Sequence, residues 1–231
     1  RARAGAKAAS RGAGKSLFDE ISEEQGATTF CGYVSERANT TITAVIVDDR
    51  RVASAPEGSE TLLVLGETPF YGEGGGQVGD RGTISGESFL AEVTDTIKTS
   101  GDLVAHRVVV TRGEAAVGLP VVAEVDGPRR SAIRAHHTST HLLHEALTRV
   151  LGRHVTQAGS LVNEEMLRFD FTHMKPLSRE EIGEVEVMVN RQVLLNTPLE
   201  VILTDMESAK RLGAKALFNE KYSSEVRVVR V

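Results

Sequence analysis

The pattern of the chain changes at Asp126-Gly127-Pro128, and this break constrains the fold more than any other feature. Proline suits the first turn of a helix and Asp or Gly its cap, so a helix is expected to open there. Before the break, between Thr40 and Val125, come short β-rich runs: Thr41 to Val47, Thr61 to Leu65, Phe89 to Val93 and Val108 to Val110. Gly, Pro, Asp and Ser separate them, a spacing that predicts a small antiparallel β-barrel. After the break, the helix should run to about Leu151 and stop at Gly152, with Leu143, Ala146, Leu147, Val150 and Leu151 on its apolar face. Leu167 to Thr172 alternates as a half-buried strand does. Ser178 and Glu181 form a capping box for a second helix, which should end near Asn196 because Pro198 follows. Leu199 to Leu203 predicts another strand, Asp205 the cap of a short helix ending near Gly213, and Val226 to Val231 a last strand. This order predicts an α+β fold rather than a doubly wound sheet: the barrel, then a core of antiparallel sheet with helices. The expected divisions are a barrel over residues 29–127 and the α+β core over 128–231. Residues 1–28 open on a run of Ala, Arg, Gly and Lys and are expected to be the end of an upstream helical region and a linker.

Composition narrows the class. A chain of 231 residues is long enough to close a real hydrophobic core, as one large domain or two small ones. Its one cysteine, Cys31, cannot form an intrachain disulfide and is expected as a small apolar residue in a barrel strand. There is no run of about 18 apolar residues and no apolar signal core, so the expectation is a soluble, cytoplasmic protein without membrane contact. The first residue is Arg rather than Met, which suggests a piece of something longer. Net charge is −5, yet residues 1–15 carry five basic residues and no acid. A second basic stretch, Pro128 to His154, sets Arg129, Arg130, Arg134, Arg149 and Arg153 against Glu145 alone and holds five of the seven histidines. It is either a contact for a polyanion or an ordinary solvated helix face.

Three segments offer chemistry. His137 and His141 are four apart in the predicted helix, so they share a face and suit one metal ion; two aligned polar residues would show the same spacing. His144 continues that face. A zinc peptidase needs Glu directly after the first histidine, and here that position is Thr138. Thr68-Pro-Phe-Tyr-Gly-Glu-Gly-Gly-Gly-Gln-Val-Gly-Asp80 lets backbone approach a ligand closely, with Gln77 adding donor and acceptor. It lacks the lysine of a nucleotide-binding phosphate loop, and by chemistry alone a glycine-rich hairpin turn is the simpler reading. In His154-Val-Thr-Gln-Ala-Gly-Ser-Leu161, Gln157 is expected just before a turn.

Taken together these segments form a pattern. Thr68-Pro-Phe-Tyr71 with Gly74-Gly-Gly-Gln-Val-Gly-Asp80, His137-Thr-Ser-Thr-His-Leu-Leu-His144, Gln157-Ala-Gly-Ser160, Leu167-Arg-Phe-Asp-Phe171 and Ala216-Leu-Phe-Asn-Glu-Lys-Tyr222 resemble, in the same order, the editing region of the alanyl-tRNA synthetases. That resemblance implies a small barrel followed by an α+β core, with the ATP-using aminoacylation domain outside this chain. It implies hydrolysis of seryl-tRNA(Ala), with the tRNA acceptor end, the mischarged seryl ester and the rest of the parent chain as partners. His137 and His141 match two zinc ligands; the remaining Cys and His ligands are expected beyond Val231, and Cys31 does not match them. Gln157 matches a pocket glutamine, Thr140 a threonine that recognises the serine hydroxyl, and Gly74, Gly75, Gly76 and Gln77 a loop that helps separate serine from alanine. Arg129, Arg130 and Arg134 are expected on acceptor-stem phosphates. A freestanding deacylase and a non-catalytic tRNA-binding piece are the alternatives.

Overall fold

The computed structural model describes residues 15–214 and 225–230. In chain order the elements are α1 (Leu17–Gln25), β1 (Thr29–Phe30), β2 (Arg37–Val47), β3 (Arg50–Val52), β4 (Ser54–Pro56), β5 (Glu60–Leu65), β6 (Glu67–Thr68), β7 (Gly82–Ser85), β8 (Leu90–Lys98), β9 (Val104–Arg112), β10 (Glu114–Ala116) and β11 (Pro120–Val125). There follow α2 (Gly127–Leu151), β12 (Gln157–Val162), β13 (Leu167–Phe171), α3 (Arg179–Leu195), β14 (Glu200–Asp205), α4 (Met206–Arg211) and β15 (Glu225–Arg230). They divide into two compact units, one of residues up to Gly74 with Val78–Arg130, the other of Gly75–Gln77 with Ser131 onward.

The first unit is built on the expected barrel. Its strands run β11-β7-β8-β9-β5-β2, every pairing antiparallel, and β2 pairs back to β11. Six strands therefore close the sheet and leave it without a free edge. Register shifts between Leu90 and Ala91, between Val93 and Asp95, and between Ile42 and Ala44 give the local bends that closure needs. Inward residues such as Ile42, Leu63, Phe70, Ile84, Phe89 and Val108 fill the interior. The alternate residues Ala44, Ile46 and Val64 would face water, but Ile21 of α1 is fully buried against them. Ser16 caps α1, accepting a hydrogen bond from the Asp19 backbone N–H while Asp19 reaches back to the Ser16 N–H. Residues 17–25 are thus a helix packed on the barrel wall.

The second unit confirms the α+β reading of its elements. Gly152, at φ +114°, ends α2 where the helix was expected to stop. β12 and β13 form an antiparallel pair, as do β14 and β15. Ser178 and Glu181 make the expected capping box on α3, Asn196 closes that helix in the left-handed conformation, and Asp205 caps α4. Ala146, Leu147, Val155 and Val185 are buried together, with Leu143, Val150 and Phe169 packed around them.

Candidate active site

The site is assembled on α2. Among its histidines only His137 and His141 stack, with ring centroids 5.2 Å apart and planes 15° from parallel, as the four-residue spacing predicts. His136 turns its Nδ1–H to the Asn163 carbonyl at 2.8 Å, and the His144 ring lies 5.0 Å from Phe169. His137 Nδ1 stands 2.5 Å from Gln77 Oε1. A carboxamide oxygen only accepts, so Nδ1 carries the proton and Nε2 keeps its lone pair. Burial, and secondly the proximity of His141, hold the His137 pKa below the usual histidine value, which keeps the ring neutral.

Gln77 is held there by the glycine loop. Gly75 and Gly76 take φ of +60° and +84°, the left-handed region. Gly76 has no room for a side chain either: a Cβ would sit 2.4 Å from Ser160 Oγ and 2.7 Å from Ser160 O. The Val162 N–H donates to Gly76 O at 2.8 Å, and Gln77 forms a parallel bridge with Val162. The loop tip therefore lies along β12. The expected hairpin is absent, because the residues flanking the turn bridge separate strands: Glu73 pairs with Ile97, Gln77 with Val162. Gln157 is likewise not before a turn; it opens β12 opposite Phe171, and a bulge separates it from Gly159. Its Nε2 donates to Ser160 Oγ at 3.1 Å, and Ser160 Oγ donates on to Gly75 O at 3.5 Å.

The other expected residues fare differently. Thr140 is buried on α2 and its hydroxyl donates to the His136 carbonyl at 2.9 Å, so toward a ligand it can only accept. Gly74 belongs to the first unit, where Tyr71 Oη donates to its carbonyl at 3.2 Å. Arg130 is 4% exposed, ion-paired with Asp80, and donates to Pro69 O at 2.5 Å and Gly32 O at 3.3 Å. Its expected phosphate contact is corrected to a structural one, since a guanidinium so enclosed presents no free donor face. Arg129 donates to Gly79 O at 2.9 Å, whereas Arg134 is exposed. Cys31 lies just past β1, outside the barrel strands, and burial with Glu67 nearby raises its thiol pKa to about 11. The motif Ala216 to Tyr222 lies outside the described residues.

His141 is exposed and edges a groove between α2 and α3, with Leu142, Glu145, Met188 and Gln192, of about 230 Å³. That is below the roughly 300–1,000 Å³ of sites that enclose a whole small ligand, so the groove takes only part of one. As a zinc site the residues go half way. The tautomer of His137 leaves Nε2 for a metal, with Gln77 as the partner that orients the ring. Yet zinc wants at least three protein ligands, and among the described residues no group of three His, Cys, Asp or Glu stands together. Ser160 has no role that its place in the sequence alone would reveal: it ends the Gln157-Ala-Gly-Ser160 motif, and its part depends on the loop tip folding over it.

Residues 1–129 fit the family described as tRNA synthetases class II (A). The chain belongs to that family, whose members serve protein biosynthesis. Within it the likeness is to alanine–tRNA ligases: 46% identity over 230 residues with that of Gluconobacter oxydans, 47% over 215 with that of Mesorhizobium japonicum, and 46% over 233 with that of a Chelativorans species. These alignments cover 99%, 93% and 99% of this chain and 26%, 24% and 26% of the relatives, so the chain spans about a quarter of their length.

Proposed function

We propose that this chain carries the serine-editing site of an alanine–tRNA ligase, which hydrolyses the ester joining serine to the terminal ribose of tRNA(Ala). The observation that supports it is the convergence of the loop tip Gly75–Gln77 with His137, Gln157 and Ser160. The need for such a site is physical. A synthetic pocket made for alanine rejects an added hydroxyl only about a hundredfold, so a second site must discriminate in the other direction. A buried polar group that bonds the serine hydroxyl is left unpaired by alanine, and alanyl-tRNA is spared.

In this reading Gln157 and the loop bind the aminoacyl group, Thr140 accepts from it, and exposed Arg134 and Arg153 on or just after α2 meet acceptor-stem phosphates. His137 and His141 are two ligands of a zinc centre whose further donors lie outside the described residues. When bound, zinc would supply a positive centre for the substrate's end. The work is cytoplasmic, and no described helix is long and apolar enough to cross a membrane. The test is release of serine from seryl-tRNA(Ala), with alanyl-tRNA(Ala) as comparison. Serine release at least tenfold above alanine release supports the reading; release of neither overturns it. The two-donor metal set favours a second reading, in which the chain binds the acceptor end without hydrolysis. Retained tRNA binding with no release of serine is its signature.

A further inference from the structure

The two glutamines of the site are held in opposite senses. Ser160 Oγ has one proton and sends it to Gly75 O, so toward Gln157 it can only accept; Gln157 must offer its NH₂ there and leave Oε1 outward. His137 does the reverse to Gln77. Its Nδ1–H occupies Gln77 Oε1 and leaves the NH₂ outward. Neither outward group has a partner among the described residues, and neither is buried without one. Both amides are tied to one three-residue loop tip, Gln77 as a member of it and Gln157 through Ser160, which packs against Gly76.

Resting on the editing reading, we propose that His137 and Ser160 are positioning residues that set Gln77 as donor and Gln157 as acceptor for a single ligand hydroxyl. A hydroxyl gives one hydrogen bond and takes others, so it satisfies both amides at once. A methyl group satisfies neither. Discrimination thus arises from a matched pair rather than from one residue, and it is lost when either amide turns over.

The test separates orientation from general damage. The readout is the ratio of kcat/KM for seryl-tRNA(Ala) to that for alanyl-tRNA(Ala). Gln77→Glu removes the donor and lowers the ratio at least tenfold. Gln157→Glu presents an acceptor in either orientation and keeps the ratio within about threefold, whatever happens to the absolute rate. Ser160→Ala lowers the ratio in the wild-type background and leaves it unchanged in the Gln157→Glu background, where there is no amide to orient. Equal falls in both backgrounds overturn the proposal. Independently of activity, nitrogen NMR on the whole chain should find His137 protonated at Nδ1; protonation at Nε2 overturns the inference and leaves the editing reading standing. A wild-type chain that releases no serine overturns the editing reading and this hydroxyl assignment with it.

Discussion

His106 shows how one buried side chain ties stability to pH. It is fully buried in the barrel, its Nδ1–H donating to Leu63 O at 3.0 Å and its Nε2 accepting from Thr68 Oγ1 at 2.7 Å. Thr68 Oγ1 in turn accepts from the Phe70 N–H at 3.1 Å, at the start of the segment that leads into the glycine loop. Both ring nitrogens are satisfied in the neutral form, and burial, which penalises the charged ring, holds the pKa down to about 4 against the usual histidine value of 6.5. The unfolded chain therefore takes up a proton as pH falls below 6.5 while the folded chain does not. Stability from this group is complete above that value, falls as pH drops toward 4, and levels off below it, with a total on the order of 3 kcal/mol. Urea midpoints between pH 7.5 and 4 should fall more steeply for the wild type than for His106→Gln; identical slopes would remove His106 from the account.

At the scale of elements, α1 and α2 each carry a separable load. α1 covers the outer wall of β2 and β5 through Ile21, and Ile21→Ala should cost about 2–4 kcal/mol in urea unfolding, as large-to-small core changes do. A loss below 0.5 kcal/mol would mean that α1 does not hold to the barrel. On α2, arginines four residues apart do different work. Arg130→Ala strands Asp80, which is 1% exposed, and should cost about 3–5 kcal/mol. Arg134→Ala should leave the urea midpoint unchanged and lessen the salt dependence of tRNA binding by about one unit of slope. An Arg134 variant with wild-type salt dependence would take that residue off the nucleic-acid contact.

For the whole molecule, metal binding in solution tests the proposed pairing of His137 and His141. Calorimetric titration of the chain with zinc should show affinity that falls at least tenfold in His141→Ala, and equal affinity would remove the pair from the ligand set. The pair itself was legible in sequence because a helix places residues four apart on one face, and the caps Ser178, Asp205 and Gly152 were legible because they act within a turn of themselves. The glycine loop was recognisable as a motif but not as a strand-like partner of β12, and Arg130 and Arg134 carry the same charge in sequence while only one is buried. The amino-acid sequence by itself determined the period, the stops and the family. The tertiary structure alone decided that β2 closes on β11, that Gln77 meets His137 sixty residues away, and that Arg130 belongs to Asp80. Helix and strand periods arise from neighbours along the chain, whereas these pairings are chosen by packing between segments that share no local signal.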